Sequence, residues 1–476
     1  MREEILSVGI DIGTSTTQLI FSRLIIENRA SSYMVPRISI VEKEVTYQSD
    51  IYFTPLKSQT EIDAEKVKEI IRGEYRKAGK KPEDLQTGAV IITGETARKE
   101  NANTVLSSLS DMAGDFVVAT AGPDLESVLS ARGAGTDVLS EEERSVIANV
   151  DIGGGTSNIA FFQKGTLKGT CCLDIGGRLI KVEHGKISYI YPKIQKLAQR
   201  HGLQIRVGDA ANEQLLYRVC EYMADELARA LHITETDSYH NELYTNEGKE
   251  LPREPAVKGI TFSGGVADCV YRQEAGDVFR YGDIGVLLGR AVRNNSSLNK
   301  LKIYPAAETI RATVVGAGTH TTNVSGSTIS YAAGRLPIKN IPVLKVSAEE
   351  EQEPAAFRNA IRNQLSLYET DGALGQIAIA FSGDYHTGFS QIQELAKILM
   401  DGAEPVIRSP YPLILVIEND IAKALGNALN VLLERKKDVI CIDGIHAGSG
   451  DYIDIGEPVA GGRVVPVVTK TLIFNT

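Results

Sequence analysis

Short runs of Val, Ile and Phe alternate along the chain with longer segments in which apolar residues recur every three or four positions. The runs predict strands, since branched and aromatic side chains fit the surface of a sheet, and the spaced pattern predicts amphipathic helices. The predicted strands are residues 7–12, 17–26, 89–93, 116–119, 147–152, 158–162 and 258–263. The predicted helices are residues 62–78, 124–132, 211–232, 355–368, 390–400 and 420–436. This alternation is typical of α/β proteins with parallel strands.

The last part of the chain has a different pattern. Residues 439–474 predict short strands that are separated by glycine-rich turns. Polar stretches at residues 235–253 and 348–354 are typical of surface loops or domain boundaries. We therefore expect a further α/β region after the part in which strands and helices alternate.

An internal repeat is the most informative feature of the sequence. Residues 11–21 align without a gap onto residues 151–161, with Asp, Ile, Gly, Thr and Phe at the same offsets. The copies begin 140 positions apart, which is about the length of one domain and too long for a solenoid repeat. The repeat predicts two related lobes, each of which opens its sheet with the same strand, turn and strand. The domains that we expect are residues 1–145, 146–310 and 311–476, the last extending or completing the lobes.

Each copy of the repeat places a carboxylate at the end of an apolar strand and follows it with glycine and hydroxyl residues. Glycine lets successive backbone N–H groups converge on an anion, and hydroxyls add further donors. An aspartate beside a bound phosphate needs a cation between the two, and a hydrated Mg²⁺ suits this place, so Asp11 and Asp151 are the predicted metal-site residues. The residues expected at the phosphates are Gly13, Thr14, Ser15 and Thr16 in the first turn and Gly153, Gly154, Gly155, Thr156 and Ser157 in the second.

One such turn alone is more often a plain β-hairpin, and Asp-Ile-Gly recurs elsewhere in the chain. Two matched copies at domain spacing favour a pair of hairpins that clamp a polyphosphate across a cleft. A third segment, residues 259–267, predicts a strand that ends in a Gly-Gly turn, against which a base and ribose can lie. Its binding candidates are Ser263, Gly264, Gly265 and Val266. The predicted nucleotide site lacks a G-x-x-x-x-G-K-[ST] motif.

Composition excludes several other classes of protein. The 476 residues carry a formal net charge of −10, whereas a general binder of nucleic acid or of membrane surfaces needs clustered Lys and Arg. Five Cys without a C-x-x-C pair do not form a common zinc or disulfide framework. The longest apolar run, residues 413–417, is too short for a membrane span, and the first residues do not resemble an export signal. We therefore expect a cytoplasmic protein.

The two repeat copies and residues 259–267 resemble the two phosphate motifs and the adenosine motif of the superfamily of actin, sugar kinases and large heat-shock chaperones. Residues 121–135 and 283–292 resemble its first and second connecting helices, and residues 173–178 its Gly-Gly segment. The resemblance implies a two-lobed actin-like ATPase fold, with duplicated ribonuclease-H-like lobes and here a C-terminal α/β extension. It also implies ATP and Mg²⁺ as ligands.

A closer resemblance rests on residues 91–102, 122–135, 151–158 and 314–321, which are similar to the reactivating factors of ethanolamine ammonia-lyase. It implies an ATP- and Mg²⁺-dependent chaperone that releases damaged cobalamin from the lyase so that intact adenosylcobalamin can rebind. The implied partners are both lyase subunits, with cobalamin reached only through the lyase and without nucleic acid or membrane. The implied location is the cytoplasm, in association with the ethanolamine-utilisation microcompartment.

The chain departs from the chaperone pattern at two positions. Asn158 stands where chaperone ATPases carry Asp, and Gly122 stands where they carry a Glu that supports hydrolysis. The resemblance therefore implies slow hydrolysis, with Asp151 as the catalytic residue that positions metal and attacking water and Asp11 as the residue that supports the metal. Positioning and charge neutralisation dominate phosphoryl transfer of this kind.

Two alternatives within the same superfamily remain open from the sequence. A small-molecule kinase would need a catalytic Asp in a substrate pocket, and no sugar-kinase signature lies between the two repeat copies. A scaffold ATPase of the cell-division type shares the Gly-Gly segment. The membrane-binding C-terminal helix of such proteins is replaced here by a strand-like run at residues 471–476.

Overall fold

In the computed structural model, the described residues are 2–13, 16–28, 38–58, 61–93, 101–109, 117–120, 123–245, 250–272, 276–320, 322–325, 329–365, 368–370, 373–448 and 451–471. These residues form three large sheets that are flanked by helices. No helix within these ranges is both long enough and apolar enough to cross a bilayer.

The first sheet is built on the first copy of the repeat. It and its helices comprise β1 (Arg2–Ile12), β2 (Thr16–Asn28), β3 (Ile38–Gln48), β4 (Tyr52–Phe53), α1 (Ala64–Ala78), β5 (Thr87–Ile92), α2 (Ala102–Leu109) and β6 (Val117–Thr120). The strand order is β3-β2-β1-β5-β6, and β4 pairs with β2. The pairs from β3 to β1 are antiparallel, whereas β1, β5 and β6 are parallel. Helix α1 begins where the Asp63 side chain accepts a hydrogen bond from the Lys66 N–H, as an N-cap should.

The second sheet repeats this topology. Its region comprises α3 (Pro123–Gly133), α4 (Thr136–Glu142), β7 (Val146–Ile152), β8 (Ser157–Gln163), β9 (Thr166–Leu173), β10 (Ile180–Glu183), β11 (Lys186–Ile190), α5 (Pro192–Arg200), α6 (Glu213–Ala230), β12 (Gly259–Ser263), α7 (Ala267–Tyr271), α8 (Gly285–Asn294) and β13 (Lys302–Ile303). The order β9-β8-β7-β12-β13 is antiparallel up to β7 and parallel beyond it. The duplicated order confirms the predicted two-lobed actin-like fold.

Two helices cross between the lobes. Helix α3 packs on the second sheet, and α9 (Ala312–His320) packs on the first. A Cβ added to Gly133 would lie 1.8 Å from the carbonyl oxygen of Ala312, and one added to Gly316 would lie 2.0 Å from that of Leu129. Glycine at both positions therefore allows the two backbones to touch. The prediction that residues 283–292 form the second connecting helix is wrong, since α8 packs against α6 and α7 instead.

The third sheet has the strand order β14-β22-β21-β15-β18-β19-β20. Its region comprises β14 (Thr322–Val324), β15 (Ile338–Lys345), α10 (Ala348–Glu351), α11 (Pro354–Leu365), β16 (Glu369–Thr370), β17 (Ala373–Leu374), β18 (Ala378–Phe381), α12 (Phe389–Gly402), α13 (Glu404–Arg408), β19 (Leu413–Ile417), α14 (Ala422–Leu432), β20 (Val439–Asp443), β21 (Asp451–Ile455) and β22 (Pro466–Thr471). Strands β15, β18, β19 and β20 are parallel. The short C-terminal strands confirm the pattern predicted for residues 439–474 as far as Thr471, and residues 472–474 lie outside the described residues. Helix α10 shows that the loop predicted at 348–354 is wrong in part.

The third sheet packs on the first lobe. Val468 shares an apolar cluster with Ala89 and Ile91, and the Ala460 N–H donates to Glu3 Oε2 at 2.7 Å. The strands of the three sheets come from residues 2–120, 146–303 and 322–471. The domain boundaries expected at residues 145 and 310 stay a prediction.

Candidate functional site

The two copies of the repeat form matching hairpins. The Gly13 N–H donates to the Thr16 carbonyl oxygen at 2.8 Å, and the Gly153 N–H donates to the Thr156 carbonyl oxygen at 2.9 Å. In both cases the bond closes a tight turn immediately after the strand that carries the aspartate. The sequence repeat is therefore a structural repeat. Thr14 and Ser15, predicted to bind phosphate, lie outside the described residues.

The two aspartates end their strands inside the protein. Asp11 accepts a hydrogen bond from Thr93 Oγ1 at 3.0 Å, and Asp151 accepts one from Ser263 Oγ at 2.6 Å. Burial raises the pKa of Asp11 to about 7. The hydrogen bond from Thr93 lowers this pKa in part, and the negative charge of Asp151 raises it further. Burial likewise raises the pKa of Asp151 to about 6, against the effect of the Ser263 hydroxyl. The charge of Asp151 therefore acts on Asp11, although the two carboxylates come from different lobes.

Within the described residues, neither Asp11 nor Asp151 forms a salt bridge with a basic side chain, and no group of three or more His, Cys, Asp or Glu is placed to hold a metal. A divalent cation between the two carboxylates would favour their charged forms and lower both pKa values. Because the described residues offer only this pair of carboxylates, most ligands of such a cation would be water and phosphate oxygens. That coordination is the one Mg²⁺ prefers, and the residues present fit it.

A second matched pair lies opposite the aspartates. Gln18 pairs with Asp11 in the first hairpin, and Asn158 pairs with Asp151 in the second. Gln18 is 4% exposed and Asn158 is 2% exposed, yet the side-chain oxygen of each has no hydrogen-bond partner in the part of the chain that the structure describes. A buried polar atom without a partner is costly, so these oxygens are suited to accept from water around a bound cation.

The predicted base-and-ribose segment lies beside the second hairpin. Strand β12 pairs in parallel with β7, which brings Ser263 into register with Asp151. The turn then bends sharply at Gly264, where φ is +87° and an added Cβ would lie 2.5 Å from the Ile152 carbonyl oxygen. The Val266 N–H donates to the same oxygen at 3.1 Å. The structure thus brings residues 263–266 to the edge of the cleft.

The Gly-Gly segment closes the other side of the second hairpin. The Gly177 N–H donates to the Gly153 carbonyl oxygen at 3.0 Å, and the Arg178 N–H donates to that of Gly154 at 2.7 Å. A Cβ on Gly176 would lie 2.4 Å from the Gly154 carbonyl oxygen, so only glycine permits this approach. Backbone N–H groups of this segment therefore hold the turn of the second hairpin in place.

Sequence reasoning missed three contributors to the site. Thr93 directly follows β5, which is parallel to β1 and ends at the same edge of the sheet. This position in the sequence could have predicted that Thr93 lies near Asp11. Gln18 occupies the same repeat position as Asn158. Arg178 was recognised only as part of the Gly-Gly segment, and its side-chain contacts needed the structure. Gly122, where the chaperone Glu is replaced, lies outside the described residues.

The duplicated sheets, the crossing helices and the two matching hairpins define the class: this is an α/β protein with the two-lobed actin-like fold. The candidate site combines the two hairpin turns with the two buried aspartates that precede them. The chain belongs to the family Ethanolamine utilisation protein EutA, whose family model matches residues 3–475.

Curated relatives agree with this membership. The chain is 38% identical over 473 residues to the Ethanolamine ammonia-lyase reactivase EutA of Escherichia coli (strain K12). It is 38% identical over 477 residues to the protein of the same name from Salmonella typhimurium, and each alignment covers 99% of both chains. Cell division protein FtsA of Buchnera aphidicola is 26% identical over 193 residues, which cover 37% of this chain and 44% of that protein. The identity to the two reactivases is thus higher than the identity to the cell division protein, and it extends over more of the chain.

Proposed function

We propose that this protein is a reactivating factor for ethanolamine ammonia-lyase, a chaperone that releases damaged cobalamin from the lyase so that intact adenosylcobalamin can rebind. The observation that carries the proposal is the 38% identity, over 99% of the chain, to relatives named as ethanolamine ammonia-lyase reactivases. The alignment extends through all three sheets, so the third sheet belongs to the proposed activity as much as the two lobes do.

The ligand that we propose for the cleft is ATP with Mg²⁺. The terminal phosphoanhydride bond of ATP would be the bond that is slowly hydrolysed. The charge of the bound ligand would then differ before and after hydrolysis. Asp151, held by Ser263, would orient the attacking water, and Asp11, held by Thr93, would fix the water shell of the metal. The backbone amides of both hairpin turns would orient the phosphates. Asn158 cannot serve as a base, which favours slow turnover.

The exchange of cobalamin requires a difference in affinity between two states of the lyase. A cofactor bound with nanomolar affinity is held by about 12 kcal/mol, so a small steric clash cannot expel it. The factor must therefore bind more tightly to a lyase whose cofactor site is loosened. Nucleotide binding between the lobes would change the angle at the crossing of α3 and α9 and thus the surface presented to the lyase. Hydrolysis or release would reset it.

The proposed partner surface involves both lyase subunits, and cobalamin would be reached only through the lyase. We place the protein in the cytoplasm, in association with the ethanolamine-utilisation microcompartment. These assignments rest on family membership. They are tested by co-purification of the protein with lyase subunits produced separately and together.

The test of the proposed function uses lyase loaded with cyanocobalamin as a stand-in for the damaged cofactor. Release of cyanocobalamin and recovery of activity are followed after addition of the protein, adenosylcobalamin, ATP and Mg²⁺. We expect release with ATP–Mg²⁺ and a loss of about 100-fold or more in Asp151→Asn, since this residue carries the positioning of water. The control variant is Asp401→Asn, which alters an exposed carboxylate on α12 paired with Arg358. Equal release with and without nucleotide would reject the scheme.

A further inference from the structure

A cation and an aromatic ring meet across the mouth of the cleft. The guanidinium of Arg178, from the second lobe, lies over the ring of Phe53, from the first lobe, 5.9 Å from its centroid. Phe53 is 76% exposed, so most of its ring is accessible to solvent. The contact therefore links the two lobes at the entrance of the site.

Both partners are fixed to the tips of the phosphate hairpins. Phe53 pairs in register with Thr16 at the first hairpin, and the neighbouring Thr54 hydroxyl donates to the Gly13 carbonyl oxygen at 2.7 Å. Arg178 is fixed to the second hairpin by its own N–H. The contact thus spans the gap in which the phosphates would lie.

The guanidinium of Arg178 makes few polar contacts. Its Nε forms an ion pair with Asp283 Oδ2 at 3.4 Å, which is long for a hydrogen bond, and the side chain is 34% exposed. Within the described residues, neither of its two terminal nitrogens has a hydrogen-bond partner. The planar guanidinium of Arg178 can donate paired hydrogen bonds from its terminal nitrogens to phosphate oxygens. Such charge-assisted hydrogen bonds are stronger than a cation–π contact with an exposed ring.

We propose that Arg178 is a phosphate-binding residue that exchanges the ring of Phe53 for the terminal phosphates of the nucleotide. The inference rests on the proposed nucleotide site and adds a specific consequence to it. In the protein without nucleotide, the contact between Arg178 and Phe53 links the two lobes. In the protein with nucleotide, the guanidinium of Arg178 binds the phosphates instead. Phe53 therefore competes with phosphate for Arg178, and nucleotide binding releases one tie between the lobes.

The test is calorimetric titration of the full-length protein with ATP, ADP and adenosine in the presence of Mg²⁺. We expect Arg178→Ala to weaken ATP binding by about tenfold, ADP binding less, and adenosine binding not at all, because only the phosphates contact the guanidinium. Arg178→Lys should recover part of the loss, since lysine keeps the charge but not the fork. Phe53→Ala should tighten ATP binding by about two- to threefold, because the competing contact is removed.

The matched control is Phe389→Ala, which removes an equally exposed ring, 77% accessible, on α12 of the third-sheet region. It should leave all three affinities unchanged. An ATP affinity of Arg178→Ala within twofold of wild type, an equal loss for ATP and adenosine, or weaker ATP binding by Phe53→Ala would overturn the inference. If wild-type protein bound none of the three ligands, the proposed nucleotide site itself would be wrong, and the inference would go with it.

Discussion

The carboxylates of Asp11 and Asp151 come from different lobes, yet the charge of Asp151 contributes to raising the pKa of Asp11. They occupy the same position in two hairpins whose turns are closed by the same hydrogen bond. Two buried carboxylates repel each other when nothing lies between them, and among the described residues each accepts a hydrogen bond from one hydroxyl. The arrangement is thus unfavourable in the empty cleft and favourable around a divalent cation.

The stability of the protein without metal or nucleotide should fall as the pH rises. Burial raises the pKa of Asp11 from 3.8 to about 7, so the folded state keeps a proton that the unfolded chain releases. This contribution is fully present below pH 4 and is lost as the pH passes 7. Asp11→Asn removes the titrating group and should raise the free energy of unfolding by about 2–4 kcal/mol at pH 8, with little change at pH 4. Urea denaturation at both pH values measures the effect.

The same experiment with Mg²⁺ and nucleotide gives the control. The bound cation should remove the penalty in wild type, so the advantage of Asp11→Asn at pH 8 should vanish or reverse. A stabilisation by Asp11→Asn that is equal at both pH values would show that the carboxylate does not titrate in this range.

Replacement of the Asn158 amide should have opposite effects on stability and on binding. Asn158→Leu removes a buried oxygen that has no hydrogen-bond partner among the described residues, so it should raise the free energy of unfolding of the empty protein by about 1 kcal/mol. Gln18→Leu should give little net stabilisation, because it also removes the bonds that Gln18 Nε2 donates to the Ile310 carbonyl oxygen at 3.3 Å and to Thr16 Oγ1 at 3.4 Å. Each should also weaken binding of Mg²⁺–ATP by about tenfold, because the oxygens would accept from water around the cation. Denaturation and calorimetry measure the two effects.

Asn149 offers the matched control for these amides. It is also buried, but its side chain donates to Ser263 Oγ at 2.9 Å and accepts from Thr261 Oγ1 at 3.0 Å. Asn149→Leu should therefore destabilise the protein by about 2 kcal/mol, since both partners lose a bond. Destabilisation by Asn158→Leu of the same size would mean that the oxygen of Asn158 is already satisfied in the empty state.

The crossing of α3 and α9 should not tolerate a methyl group. An alanine at position 316 would place Cβ 2.0 Å from the Leu129 carbonyl oxygen, so Gly316→Ala should lower the free energy of unfolding by about 3 kcal/mol. Gly73→Ala is the matched control on α1, where an added Cβ meets nothing within 4 Å, and it should stabilise by about 0.5–1 kcal/mol. Denaturation midpoints of the two variants should move in opposite directions. A shift of Gly316→Ala toward higher stability would contradict the close crossing.

Much of the fold could be predicted because its signals are local. The two hairpins are contiguous motifs that contain their own strands, turn glycines and carboxylates, so the duplication is visible in the printed sequence. The alternating apolar runs place most helices and strands within a few residues of the observed bounds. Family resemblance then supplied the way in which the lobes face each other.

The remainder depends on contacts between distant segments. Residues 283–292 and helix α9 are both apolar and rich in small residues, so either segment could form the second connecting helix. Only the tertiary packing shows that it is α9, whose Gly316 contacts Leu129 of α3. The support of Asp11 by Thr93 and the contact of Arg178 with Phe53 also join residues far apart in the chain. No short motif encodes such pairs, because each partner is an ordinary residue in its own segment.

The central claim is that the two hairpins hold the phosphates of one nucleotide from opposite sides. Its most direct test is a crystal structure of the protein with a nonhydrolysable ATP analogue and Mg²⁺. The account predicts the phosphates between the turns at Gly13 and Gly153, with a hydrated cation between Asp11 and Asp151. A nucleotide bound elsewhere, or hairpins that stay empty at saturating analogue, would contradict it.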